Sequence, residues 1–211
     1  MRIEREIKFY FPANKLEELK AVLRIFKYVH TKHELTLNYD NPNPKLSFYN
    51  KEIDGRLRLR LMRYLDTAEK DKEVGLFSWK QRIPERAVST IRHEHEAECH
   101  LSGEDADSLK TILTDVLKCP LISSYERERA HYHVDGLEIT LDKFPFGLML
   151  EIELKDDDAN LEDALEKLNL KPEDASYLSC DDMYKQLCRE QNKAIKPHIL
   201  FDDKEMPSYQ S

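Results

Sequence analysis

Glu4, Glu6 and Lys8 stand at alternate positions near the start of the chain, with Ile3, Ile7 and Phe9 between and around them and Arg5 as the exception. On a β-strand this period of two places a carboxylate pair and an ammonium on one face and apolar side chains on the other. The rhythm returns. Arg56, Arg58 and Arg60 alternate with Leu57, Leu59 and Leu61, and Arg92, Glu94, Glu96 and Glu98 follow. Arg127 and Arg129 come next. Glu138, Thr140 and Asp142 then alternate with Leu137, Ile139 and Leu141, and Glu151 and Glu153 are flanked by Leu150, Ile152 and Leu154. Carboxylate oxygens suit hard divalent cations such as Mg²⁺ or Mn²⁺, and guanidinium and ammonium groups suit phosphate oxygens. One surface carrying both fits a metal-chelated polyphosphate.

An antiparallel sheet with one wet side explains any single strand of this kind. It explains the set less well, because a plain solvent face mixes Lys, Thr, Ser and Gln, whereas these faces are dominated by Arg and Glu. A sheet closed into a barrel with a polar lumen accounts for both signs of charge recurring in strand after strand, with helices covering the apolar outer face. The expected class is α+β: a mainly antiparallel closed barrel flanked by helices.

Turn and cap signals set the elements. Asn14 with Glu17 three residues on reads as a capped helix start, and Leu16, Leu19, Leu23 and Phe26 share its face. A segment at Leu35–Tyr39 ends in Asp40-Asn41-Pro42-Asn43-Pro44, a loop signal. Strands are expected near 46–50, 56–64, 75–82, 90–101, 123–134, 137–143 and 148–155, with Asp66 to Glu73 as an exposed hairpin loop. Ser102 is expected to cap a helix burying Leu109, Ile112, Leu113, Val116 and Leu117, and further helices run from Leu161 to Leu168 and from Asp182 to Ala194. One domain over 1–195 and a tail over 196–211 complete the reading.

Composition narrows the partners. The 211 residues are 35% charged and 40% hydrophobic, with a net charge of -8, and the mean hydropathy is -0.68 with a pI near 5.6. Such a balance argues against duplex nucleic acid, which binds through a broad basic surface. No apolar run approaches the roughly 18 residues of a membrane span, and the chain opens on a strand instead of a signal core, so the expectation is a cytoplasmic protein. Cys99, Cys119, Cys180 and Cys188 show no CxxC spacing, as reduced thiols would. His93 and His95 share a strand face opposite Glu94, which is poor geometry for zinc, and His131 and His133 share the face of Arg127 and Arg129. No P-loop, GxGxxG or GxSxG occurs.

Glu4-x-Glu6-x-Lys8 resembles the ExExK signature of the CYTH superfamily, the triphosphate tunnel metalloenzymes. Further matches follow in the family's order: Tyr39-Asp40-Asn41-Pro42, Leu57-Arg58-Leu59-Arg60, Trp79-Lys80, Arg92-x-Glu94-x-Glu96, Arg127-x-Arg129, Tyr132, Asp142 and Glu151-Ile152-Glu153. The resemblance runs over roughly residues 1 to 188. Two departures stand out: Thr36 occupies the place of an acidic residue before the Tyr-Asp turn, and the 143–147 connection is short. The resemblance implies divalent metal, Mg²⁺ or Mn²⁺, held by Glu4, Glu6, Glu96, Asp142, Glu151 and Glu153. It implies phosphate binding by Lys8, Arg58, Arg60, Lys80, Arg127 and Arg129, with Glu4, Glu6 and Lys8 central to catalysis. The activity so implied is metal-dependent cleavage of the terminal phosphate of an inorganic or organic triphosphate. A class IV adenylyl cyclase making cyclic AMP and a noncatalytic polyphosphate or nucleotide binder stay open as alternatives, as does a homodimer.

Overall fold

The computed structural model describes residues 2–50, 53–67, 73–83 and 91–210. Its strands are β1 (Arg2–Phe11), β2 (Lys27–Tyr39), β3 (Gly55–Tyr64), β4 (Glu73–Arg82), β5 (Arg92–Ser102), β6 (Leu121–Val134), β7 (Leu137–Phe144), β8 (Gly147–Leu154) and the short β9 (His198–Ile199). The helices are α1 (Leu16–Leu23), α2 (Gly103–Thr111), α3 (Leu161–Lys167) and α4 (Cys180–Glu190). Strand order is β2-β3-β4-β5-β1-β8-β7-β6, and β6 pairs back onto β2 from Lys27↔His133 to Tyr39↔Leu121. Eight antiparallel strands thus close into a barrel, flanked by the four helices.

Closure sends the two faces of each strand to opposite fates. Outward, Ile7, Ile139, Leu150 and Ile152 are buried with Leu23, Phe26, Leu165 and Leu168 from α1 and α3 and their flanks. On the far side, Leu37, Tyr39 and Leu59 pack with Ala106 and Leu113 from the α2 region. Each fully buried aliphatic side chain contributes about 1.5–3 kcal/mol, so the drive to fold comes from outside the wall. Inward, the register aligns charges: Glu6 lies opposite Glu153 and Arg92, Lys8 opposite Glu151, Arg56 opposite Lys80, and Arg129 opposite Asp142.

Four local expectations are corrected. Asn14 caps nothing: residues Ala13–Lys15 form a 3₁₀ turn, and α1 starts at Leu16 without a side-chain cap. Residues 46–50 are a loop, because the Asp40 carboxylate accepts from Asn41 N, Ser47 Oγ and Phe48 N, each at 2.7 Å, and so satisfies backbone that a strand would have paired. Ser102 caps α2 through a capping box, but the turn widens over Ile112–Val116, where Leu117 N donates to Ile112 O. The wider turn rotates the apolar stripe, leaving Leu113 buried and Ile112, Val116 and Leu117 exposed. Past Lys196 the chain docks: β9 pairs in parallel with β6, and Ile199 is buried among Tyr10, Tyr125, Met183 and Leu187. Residues 68–72 of the expected hairpin loop and residue 90 of the expected fourth strand lie outside the described residues. Among those described, no helix is long and apolar enough to cross a membrane.

Candidate polyphosphate tunnel

The inward charges converge on a cavity at the end of the barrel where α4 begins. Its wall includes Lys8, Arg56, Arg58, Arg60, Lys80, Arg92, Arg127 and Arg129 against Glu6, Glu94, Glu151 and Asp181. Eight cationic side chains face four acidic ones in this wall, and Glu4, Glu34, Glu96 and Asp142 stand just behind it against Lys80, Arg60, Arg127 and Arg129. Ser179, Cys180 and Asp181 enter from the N-terminal end of α4, where Ser179 and Asp182 form a capping box.

Most of these charges hold one another in place. Arg129 grips Asp142 through Nε–Oδ1 and Nη2–Oδ2, both at 2.6 Å, and Arg127 donates Nη1 to Asp142 Oδ2 at 3.0 Å and Nε to Glu34 Oε2 at 2.7 Å. Asp142 is wholly buried between the two guanidiniums, so both of its oxygens are occupied by them. Arg60 lies 3.5 Å from Glu34, and Arg129 also reaches Glu151 at 3.3 Å. Lys8 pairs with Glu6 and, at 3.1 Å, with Glu151; Lys80 pairs with Glu4 and, at 2.9 Å, with Glu96. Arg58 differs. Its Nε and Nη2 are shielded from solvent and have no hydrogen-bond partner, and no carboxylate among the described residues reaches it. A guanidinium placed in this way needs an anion from outside the chain.

Crowding shows in the carboxyl groups. Burial pushes Glu6 up to about 7; Lys8 opposes this, and Glu151, Glu4 and Glu94 add to it. Burial likewise raises Glu4, opposed by Lys80, and Glu153, opposed by Lys155. Burial alone would raise Glu151 too, but Lys8 and Arg129 hold it well below the usual range. Lys8 itself is raised: burial works against its charge, and Glu151 and Glu6 outweigh it.

Of the sequence-derived residues, Glu6, Lys8, Arg58, Arg60, Lys80, Arg127, Arg129 and Glu151 line the cavity. Glu4, Glu96, Asp142 and Glu153 stand outside its lining, touching it through their lysine or arginine partners or through register. Glu34 was missed. It sits on the inner face of β2, two residues before Thr36, and a strand reading extended back from Leu35 would have exposed the alternation Glu34, Thr36, Asn38. Arg92 carried the same inward alternation as Glu94. The α4 residues gave no local signal, since only the tertiary fold brings them to the tunnel. Among the histidines, His131 faces Glu138 at 3.4 Å and packs beside His30, burial lowering both, while His133 is exposed.

Among the described residues, no three acidic, imidazole or thiol groups close into a ready-made metal cage. The donor set still suits Mg²⁺ or Mn²⁺. Mg²⁺ keeps several waters and takes one or two carboxylates together with substrate phosphates. Glu4, Glu6, Glu151 and Glu153 repel one another strongly enough that protons or lysines must neutralise them, and a cation would relieve that crowding.

The family model for the CYTH domain matches residues 2–179. No curated protein matches the chain. Among solved structures, the PH1819 protein of Pyrococcus horikoshii OT3 is 22% identical, covers 87% of this chain and 98% of its own, and superposes with a TM-score of 0.62. A candidate adenylate cyclase from Vibrio parahaemolyticus is 16% identical over 87% of this chain and 98% of its own, at a TM-score of 0.61. HpAC1 of Hippeastrum, a candidate adenylyl cyclase with a dominant triphosphatase activity, is 18% identical over 90% of this chain and 97% of its own, at a TM-score of 0.58. At these identities the likeness is one of fold, and the match to the family model, which takes in most of the chain, decides membership: the chain belongs to the CYTH domain family.

Proposed function

We propose that this barrel is a divalent-metal-dependent triphosphatase that removes the terminal phosphate of an inorganic or organic triphosphate. One observation carries the reading: the tunnel wall concentrates eight cationic side chains, and one of them, the Arg58 guanidinium, has no partner for its Nε and Nη2 among the described residues. A triphosphate chain is a polyanion that offers the oxygens Arg58 lacks. The dominant triphosphatase activity of the Hippeastrum neighbour agrees with it.

The arrangement divides the work. Arg58, Arg60, Arg127 and Arg129 orient the phosphates, with Asp142 and Glu34 fixing the direction of the Arg127 and Arg129 forks. We assign Asp142 to this positioning task rather than to metal. Lys8, kept protonated by Glu151 and Glu6, stabilises charge developing on the phosphoryl oxygens, and Lys80 does so from β4, two strands away. Glu4, Glu6, Glu151 and Glu153, with Glu96 behind Lys80, form the set from which Mg²⁺ or Mn²⁺ would draw its ligands. Bound there, the metal supplies charge neutralisation and a lowered pKa for a coordinated water. The barrel wall keeps bulk water from these contacts, which strengthens each of them.

The test is phosphate release from inorganic triphosphate, thiamine triphosphate and ATP, each with Mg²⁺, Mn²⁺ or EDTA, with cyclic AMP measured in the ATP samples. Metal-dependent phosphate release is expected. Cyclic AMP as the main product would replace hydrolysis with cyclisation, and tight binding without turnover would reduce the barrel to a binding module.

A further inference from the structure

The lumen runs on past the phosphate cavity, and at its other end the inner faces change chemistry. β6 begins beside α4, where Tyr125 packs in the α4 cluster, and runs away from it through Arg127 and Arg129 to His131. β2 lies antiparallel to it, and its inner face continues from Glu34 through Lys32 to His30, which stands directly opposite His131. The two imidazoles lie side by side with ring centroids 4.5 Å apart. Neither belongs to the wall of the phosphate cavity.

Their surroundings prepare them as ligands. Nε2 of His30 and Nε2 of His131 are both shielded from solvent, and neither has a hydrogen-bond partner among the described residues. Buried ring nitrogens left in this state are costly, and one guest that serves both relieves both. Glu138 stands 3.4 Å from His131 Nδ1 and is itself met by Lys155, also at 3.4 Å. A carboxylate at Nδ1 holds the ring proton there and leaves Nε2 as a lone pair. Tyr64 packs edge-on against His30, 5.1 Å between centroids, so that ring is held from its other side. Both rings stay neutral: burial lowers His30 to about 4, with His131 and Lys32 adding to it, and burial lowers His131 against the pull of Glu138. A proton is therefore a poor guest at neutral pH, whereas a neutral imidazole is a good metal ligand.

We propose that His30 and His131 form a site for an imidazole-preferring divalent ion of the Zn²⁺, Ni²⁺ or Cu²⁺ class, separate from the carboxylates that suit Mg²⁺. A tetrahedral ion about 2.0–2.1 Å from each Nε2 sets the ring centroids about 5 Å apart, so a small opening from the observed 4.5 Å admits it. Water completes the coordination. Lys32 and Arg129 oppose a cation here while Glu138 and Glu34 favour it, and with two protein nitrogens the expected affinity is modest. Mg²⁺ is excluded by ligand type, because it takes oxygen donors.

The experiment titrates Zn²⁺ calorimetrically into the full chain with Mg²⁺ in large excess, so that the carboxylates are occupied, and records the electron paramagnetic resonance of the Cu²⁺-loaded protein. Wild type is compared with His30→Gln, His131→Gln, Glu138→Gln and His33→Gln. His33 is the control, since it lies on the same strand but points outward to Glu126 at 3.5 Å. One ion per chain, with Cu²⁺ coupled to two nitrogens, is expected in wild type. Affinity is expected to fall at least tenfold in His30→Gln and His131→Gln and to stay unchanged in His33→Gln. Glu138→Gln should lose about tenfold, the lower end of what removing the partner of a ligating histidine costs. Absence of a bound ion in wild type, a Cu²⁺ spectrum without nitrogen coupling, or equal affinity in wild type and both inner variants overturns the site. A loss in His33→Gln as large as in the inner variants overturns it too, by placing the ion elsewhere. Should an inner variant fail to fold, the wild-type Cu²⁺ spectrum and Glu138→Gln decide.

Discussion

Arg58→Ala and Arg129→Ala remove the same side chain from the same wall, and the structure assigns them opposite consequences. Arg129 makes two 2.6 Å contacts to an Asp142 with no access to solvent. Deleting one member of a buried ion pair leaves the other uncompensated, at about 3–5 kcal/mol. For a domain of this size each kcal/mol moves Tm by about 2–4 °C, so the ligand-free Arg129→Ala protein should melt roughly 6–20 °C lower. Arg58 has no such partner to strand. Its removal should shift the ligand-free Tm by less than about 4 °C, since the change stays under about 1 kcal/mol.

Binding reverses the ranking in what it isolates. Two idle donors, Nε and Nη2, would each make a charge-assisted bond to phosphate, worth about 1.5–3 kcal/mol. Taking about 3 kcal/mol for the pair gives a loss near 100-fold in affinity. Thermal melts without ligand, followed by calorimetric titration of inorganic triphosphate with and without Mg²⁺, read both quantities on the same samples. An Arg58→Ala protein that binds triphosphate within threefold of wild type refutes the assignment. One that is as unstable as Arg129→Ala refutes the claim that Arg58 is unpaired.

Glu6 gives a pH prediction: its carboxyl is raised from 4.5 to about 7 in the folded chain, so the folded state binds a proton that the unfolded state has released. The stability this contributes is full below about 4.5 and lost as pH rises through about 7, about 3 kcal/mol in all. Urea denaturation should therefore show wild type losing that much between pH 4.5 and 8 relative to Glu6→Gln, and parallel profiles would disprove it. Asp142→Asn should weaken triphosphate binding while leaving Mn²⁺ affinity unchanged, as titration of Mn²⁺ alone would show; a loss of Mn²⁺ binding would return Asp142 to the metal. Ile199→Ala, at a side chain 4% exposed in the α4 cluster, should cost about 2–5 kcal/mol in chemical denaturation, and a neutral result would mean that the segment after Lys196 adds nothing to the core.

What the sequence made legible follows from the reach of each interaction. Alternation is a property of neighbours two residues apart, so the barrel strands and the inward set Glu4, Glu6, Lys8, Arg58, Arg60, Arg127 and Arg129 could be read directly. β2 was half-read, because Lys27 to Glu34 mixes inward Lys32 and Glu34 with outward His33 and carries a register shift between Tyr28 and His30. The same irregularity concealed Glu34. Local patterns also could not say which charges would be spent on each other. Arg58 and Arg129 look alike in the chain, each in an alternating run of arginines, and only the pairing of β6 with β7 brings Asp142 to Arg129 while β3 and β4 place Ser78, not a carboxylate, beside Arg58. That difference in register separates a cation that builds the tunnel from one that waits for its substrate.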